Sequence, residues 1–347
     1  MPLKLNLFER IGLFRLNQGP GPMVDLLEML SFKTVITALE LGLFDAIDGG
    51  ARDAKDISRA TRCDEKGMTL LLGALESLGY VTGRKGKYRN SSMTVKWMLT
   101  RSPLSLAGLF RHFSDMAERW RYLPESIRRG EPPIRGGDWL DDHPEKWNDY
   151  HEGLKSAAAL VSGEIFRKIK VPERARRLID LGGSHGQYCI EFCRRNPGLS
   201  GVIFDWAQAE QTAMHTVTAS GLGDRVAFKA GDFVADDIGT GHDIALMFNI
   251  IRIFNPEELL SLLGKVHDSL NPGGMVIVMD HLGHIPRSRF MRANTFLVLL
   301  ELFNSTTGRT YAAEEIKSFL RKTGFAGIRY HTLKRSPGLG LAVAEKK

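Results

Sequence analysis

The sequence is poor in cysteine: Cys63, Cys189 and Cys193 are the only three in 347 residues. So odd and sparse a set excludes a disulfide framework and fits a reducing compartment, so a cytoplasmic location is expected. His185, Cys189 and Cys193 fall four apart and would stack on one helix face. Free cysteine usually packs as a small hydrophobe, however, and no metal site is expected. Long apolar runs are absent too. None approaches the ~20 residues of a membrane helix, so no membrane partner is expected. The first sixteen residues lack the apolar stretch and small-residue cleavage site of a secretory signal. They mix Lys4, Glu9, Arg10 and Arg15 with Leu and Phe, as a short amphipathic helix does. No repeat or low-complexity tract stands out.

What is present is ordinary for a globular protein: 43% hydrophobic and 25% charged residues, in a length natural for two domains. The net charge of +7 points to acidic partners, either nucleic acid or an anionic small molecule. Its basic residues are spread out, with short clusters only at Arg84-Lys85-Gly86-Lys87 and at 174–177. A solvated basic surface is the simpler reading.

Periodicity divides the chain. From Met23 to about Ser162 it is helical, with helices expected over 24–47, 53–61 and 64–78. Asp64 is placed to cap the third. A short strand at Tyr80-Val81, a turn at 83–87 and a return at Tyr88-Arg89 complete a winged-helix pattern. A helical region follows from Pro103 to Ile127, then a loop marked by Pro132-Pro133 and Gly136-Gly137, then a long helix from Pro144. From Arg176 onward, short apolar strands alternate with helices. Strands are expected at 177–180, 201–205, 225–230, 243–248, 275–280, 327–331 and 339–344. Such alternation predicts a mostly parallel, Rossmann-like α/β sheet covered on both faces, with the last two strands forming an antiparallel hairpin at one edge.

The sharpest motif is Leu178-Ile-Asp-Leu-Gly-Gly-Ser-His-Gly186. An apolar strand enters a glycine turn and a helix follows, which is where open α/β sheets bind ligands. Gly182, Gly183 and Gly186 would let the backbone approach a ligand closely. The spacing is not the dinucleotide Gly-x-Gly-x-x-Gly. Asp180 stands where a phosphate binder would avoid negative charge, and it suits a cationic ligand. Asp205 ends the second strand, about 20 residues on, where an acid can accept from ribose hydroxyls. Asp232 and Phe233 end the third, suited to an adenine amino group and ring face. Trp206 and Asn249, at neighbouring strand ends, complete the candidate cofactor set.

On these residues the stretch Ile179 to Asp280 resembles the catalytic domain of class I S-adenosylmethionine methyltransferases. From Leu27 on, the chain resembles the plant and bacterial small-molecule O-methyltransferase family. That likeness rests on Ala38-Leu-Glu-Leu-Gly-Leu-Phe-Asp45, Leu71-Leu-Gly-Ala-Leu-Glu-Ser-Leu-Gly-Tyr80, Asn271-Pro-Gly-Gly274 and Lys322-Thr-Gly-Phe325. The resemblance implies S-adenosylmethionine as cofactor, a small-molecule substrate and a homodimer. It implies an N-terminal arm (1–22), a winged-helix dimerisation and substrate-lining domain (23–155) and a cofactor-binding catalytic domain (156–347). It also implies substrate-lining residues His112, Met116 and Trp120 on one helix and Phe296 and Leu300, with Glu301 beside them, on another. The same helical spacings would equally suit core stripes.

One departure matters. Family members that methylate hydroxyls carry His-Asp-Trp after the fourth strand, with the His as general base. Here Arg252, Ile253 and Phe254 stand at those positions, and the supporting acids align with Asp280 and a site near Thr310. Arginine stays charged and cannot take a proton. A positioned base contributes about 10²–10⁴-fold, whereas orientation of bound reactants is worth effective molarities of about 10⁵–10⁸ M. Methyl transfer therefore survives the loss if the acceptor is an already acidic oxygen, paired with Arg252, or a carbon. His281 is a candidate substitute base or substrate contact, and Arg252, Asp280 and His281 form the candidate catalytic set. A metal held by His281 and His284 lacks a third ligand, and a bare salt bridge is the bland role for Arg252. Two other functions are weighed: a non-methylating enzyme that keeps S-adenosylmethionine, and a winged-helix DNA-binding regulator. Against the latter, helix 64–78 offers few residues that read bases, and no nucleic-acid partner is expected.

Overall fold

The computed structural model describes residues 5–283, 285, 288–334 and 338–347. Its backbone packing divides into two bodies, one ending at Ser114 and one beginning at Asp115, rather than at the expected 155/156.

The first body is helical. Helix α1 spans Met23–Glu40 and does not run on to Ile47 as its apolar spacing suggests. Gly42 takes φ +63°, a left-handed conformation that ends the helix, and a single turn Leu43–Ala46 follows. Helices α2 (Ala54–Thr61) and α3 (Glu65–Ser77) both start on aspartate caps. Asp53 accepts from the Asp56 amide and Asp64 from the Gly67 amide, each at 2.8 Å. Strands β2 (Val81–Arg84) and β3 (Lys87–Asn90) form the hairpin, and β1 (Arg52–Asp53) pairs with β3. Lys85 and Gly86 both have positive φ, as a two-residue hairpin turn requires. Leu43, Phe44, Ile57, Met68, Leu72 and Leu75 are buried between these elements. Helix α4 (Ala107–Arg119) runs across the division.

In the second body the expected loop at 132–137 closes at Arg135, and Gly136 already opens a helix, Gly136–Asp142. Helix α5 (Trp147–Lys168) follows a tight turn at Pro144–Lys146. The sheet holds all seven expected strands: β4 (Arg177–Leu181), β5 (Ser200–Asp205), β6 (Val226–Ala230), β7 (His242–Phe248), β8 (Leu270–His281), β9 (Phe325–Thr332) and β10 (Leu339–Lys346). Their order is β6-β5-β4-β7-β8-β10-β9, parallel from β6 to β8, with β10 antiparallel to both neighbours. Helices α6 (Gln187–Arg195), α7 (Glu210–Ser220) and α8 (Pro256–Ser269) connect the parallel strands. Helices α9 (Arg289–Ser305) and α10 (Ala313–Lys322) lie between β8 and β9.

Two apolar layers enclose the sheet. On β7, Ile244, Leu246 and Phe248 join one layer, and Ala245 and Met247 the other. Each buried aliphatic side chain contributes about 1.5–3 kcal/mol. Both faces are therefore committed to packing, and polar chemistry is confined to the strand ends. Cys189 and Cys193 belong to this core, and a Cβ at Gly201 would meet their Sγ atoms.

Candidate functional site

The parallel strands end together, and the chemistry gathers there. At the end of β4 the chain turns through Gly182 (φ +66°) and Gly186 (φ +69°) before α6 starts. These glycines answer to crowding by the protein's own core. A Cβ at Gly182 would lie 2.5 Å from Ile250 Cγ2, and one at Gly186 would lie 2.5 Å from Ile203 Cδ1. A Cβ at Gly183 would lie 2.8 Å from the carboxyl carbon of Asp180. Ser184, between them, is held at φ +46° although it is not glycine, a conformation that needs external support.

Asp205 supplies that support. Its Oδ2 accepts from the Ser184 amide at 2.7 Å and its Oδ1 from the Trp206 amide at 2.7 Å, so it staples the turn to the end of β5. Burial raises its pKa, and the two amides oppose the rise. Asp180 is 1% exposed, and its Oδ2 has no hydrogen-bond partner. Burial, with the charge of Asp205 adding to it, pushes its pKa up to about 8, against the pull of the Cys189 amide. An ionised Asp180 is disfavoured by its burial and by the charge of Asp205 unless a positive group is supplied. Asp232 is engaged locally, its Oδ1 accepting from the Val234 amide at 2.8 Å. Phe233 is buried edge-on to Phe254. Trp206 is 47% exposed and lines an open groove of about 460 Å³ with Asp141, Ala207, Gln208, Ala230 and Gly231.

A second cluster forms where β7 and β8 end. Asn249, at φ +60°, donates its amide to the Met279 carbonyl at 2.7 Å. Its own carbonyl accepts from Arg252 Nε at 3.0 Å. Arg252 Nη1 stands 3.5 Å from Asp280 Oδ1, with side chains 15% and 1% exposed. Burial raises the Asp280 pKa; Arg252 and nearby backbone amides work against it. His281 is buried with Nδ1 unpartnered, and a Cβ at Gly338 would lie 2.9 Å from that nitrogen. Burial, helped by the charge of Arg252, lowers its pKa to about 3, so its ring is neutral across the physiological range. His284 lies outside the described residues.

The structure thus brings Arg252, Asp280 and His281 together, and Asp180, Asp205 and Trp206 around the glycine turn. Of the substrate-lining candidates, His112 falls in the first body and Met116 and Trp120 in the second. Trp120 Nε1 donates to Glu301 at 2.5 Å, and Arg119 pairs with the same carboxylate at 2.7 Å. Leu300 is half-buried on the same helix, while Phe296 is 51% exposed. Two features are missing from the sequence reading: Ser184, and the aromatic face of α5, where Trp147, Tyr150 and His151 meet within 5.6 Å of one another. Their i, i+3, i+4 spacing is the available signal.

Comparison with known proteins agrees with this architecture. Residues 136–326 match the family model of the O-methyltransferase domain, and residues 24–101 match that of the O-methyltransferase dimerisation domain. The chain is 27% identical to a 3-hydroxy-5-methyl-1-naphthoate 3-O-methyltransferase of Streptomyces sahachiroi, over 91% of both chains. It is 28% identical to a 3-amino-4-hydroxybenzoate 4-O-methyltransferase of Streptomyces cremeus, over 72% of this chain and 70% of the relative. The crystal structure of human N-acetylserotonin methyltransferase in complex with S-adenosylmethionine superposes with a TM-score of 0.79 at 21% identity, covering 100% of this chain and 99% of that one.

Proposed function

The chain belongs to the O-methyltransferase family, and we propose that it uses S-adenosylmethionine to methylate an acidic oxygen of a small aromatic acceptor without a general base. When bound, S-adenosylmethionine supplies the methyl group on a positively charged sulfonium. The residues present fit such a ligand. Asp180, buried with an unpartnered oxygen, and Asp205 beside it, offer negative charge to a cation. Trp206 and the groove it lines offer a face to a purine. Asp205, at the end of β5, is placed for ribose hydroxyls.

The observation that carries the acceptor reading is the Arg252–Asp280 pair. A guanidinium that cannot give up its proton, at the position the sequence resemblance gives to the family's base, is fixed by Asp280 and by the Asn249 carbonyl. It favours an acceptor that arrives as an anion and stabilises that anion where it sits. The two O-methyltransferases above are named for hydroxylated aromatic carboxylates, acceptors that carry their own negative charge. His281, neutral and buried, is a weak base at best and contacts rather than deprotonates.

The test is S-adenosylhomocysteine formation with hydroxylated aromatic acids and with their neutral methyl esters. Expected are turnover of the acids and an acceptor-dependent pH profile, in which kcat/KM follows the ionisation of the acceptor hydroxyl. Arg252→Ala is expected to lose about 10²-fold in kcat/KM, in line with loss of one oxyanion contact. Equal turnover of acids and esters, or full activity in Arg252→Ala, would overturn the reading.

A further inference from the structure

The cofactor site is rich in carboxylates, yet the amino-acid end of S-adenosylmethionine carries a carboxylate of its own. That group needs a donor. His151, on the face of α5 within the second body, is 3% exposed. Its Nδ1 lies 2.7 Å from Ser184 Oγ, the side chain at the centre of the glycine turn. Its ring is stacked on Trp147 at 5.4 Å and 19°, and Tyr150 packs against its edge at 5.2 Å and 70°. The ring is thereby fixed in plane and in direction. Its second nitrogen, Nε2, is buried and has no hydrogen-bond partner.

That combination is costly for a merely structural histidine. A buried polar atom left unsatisfied is destabilising, so native cores rarely keep one without a use. The neighbouring Ser184 is itself strained and tied through its amide to Asp205. Three groups are thus joined in a chain from β5 through the turn to α5, and the unsatisfied atom lies at its end. If the Ser184 hydroxyl donates to Nδ1, the proton of the neutral ring resides on Nε2, which becomes a donor awaiting an acceptor.

We propose that His151 Nε2 is the donor that receives the carboxylate of the cofactor's amino-acid moiety at the glycine turn. The proposal rests on the cofactor reading above and adds a residue to it.

The experiment is calorimetric titration of the full-length protein with S-adenosylhomocysteine and with 5′-methylthioadenosine, which lacks the amino-acid moiety. His151→Phe keeps the stacked ring and removes both nitrogens. It is expected to bind S-adenosylhomocysteine about ten- to hundredfold more weakly, the range for a hydrogen bond to a charged group, and to bind 5′-methylthioadenosine as the native protein does. That second titration also shows that the variant is folded. His151→Gln, whose amide nitrogen reaches toward the position of Nε2, is expected to recover most of the loss, and the shorter His151→Asn is not. Equal weakening of both ligands by His151→Phe, or of neither, overturns the proposal. A native protein that binds neither ligand overturns the cofactor reading itself, and the proposal with it.

Discussion

The glycine turn and the Arg252 cluster sit at ends of the same sheet but are built in opposite ways. At the turn, backbone does the holding: Asp205 takes the amides of Ser184 and Trp206, and the glycines yield space to Ile250 and Ile203. At Arg252, a guanidinium faces the Asp280 carboxylate as well as the Asn249 carbonyl, so a side-chain pair sets the charge of the site. A site held by backbone depends on local sequence and changes little when side chains are exchanged. A site held by side chains can be retuned one residue at a time. The first suits a fixed cofactor and the second an acceptor that differs among relatives.

The sharpest way to break this contrast is at Gly182. Gly182→Val puts a branched side chain at φ +66° and into Ile250. Loss of S-adenosylhomocysteine affinity of at least about a hundredfold is expected, since strain and overpacking each cost about 1–3 kcal/mol. Calorimetric affinity equal to that of the native protein would mean the turn is not where the cofactor binds.

The second test addresses the other cluster through pH. His281 has a folded pKa of about 3 against about 6.5 in the unfolded chain. With the folded value the lower one, its neutral form costs nothing above pH 6.5. Stability is lost as the pH falls from there toward 3, where the unfolded chain takes up a proton and the folded one does not. At pH 5, urea denaturation of His281→Phe should show a loss relative to pH 7 that is about 2 kcal/mol smaller than in the native protein. Equal acid losses in both would remove His281 from the buried, neutral role.

The smallest effect tests the turn again. Asp180 has its ligand-free pKa raised to about 8, and a cationic ligand favours its ionised form. Binding therefore releases a proton, and affinity rises with pH up to about 8 by at most about tenfold per unit. Titrations in buffers of different ionisation enthalpy measure the proton directly. Proton uptake, or none, would separate Asp180 from the ligand's cation.

The same contrast explains what is legible in the sequence. All seven strands, the hairpin and the aspartate cap of α3 follow from period, turn residues and capping, which are local properties. The carboxylates at the ends of β4 and β5 can be placed because a strand end fixes its neighbours. Gly42 reads as part of a helix because its apolar flanks keep the period, although its backbone has no reason to. Partners far apart in the chain are not legible. The Glu301 contacts with Arg119 and Trp120, and the His151 contact with Ser184, join residues 182, 181 and 33 positions apart, and no periodicity announces them. Arg252 and Asp280 can both be named from the sequence, but the 3.5 Å contact between them is seen only in the folded chain.

That register has one more effect. Strand β10 follows β9 in the chain yet lies between β9 and β8, opposite His281 at Leu339 and opposite Asp280 at Gly340. Synthesis order and sheet order therefore disagree at this point. Until β10 is made, β9 has no partner in this order, and the edge of β8 that carries Asp280 and His281 is unpaired on that side. Cofactor-side strands β4, β5 and β6 have no such wait. The parallel half of the sheet can therefore take shape while β8 is still an exposed strand edge in need of shielding, and that edge is closed only by the last strand of the chain.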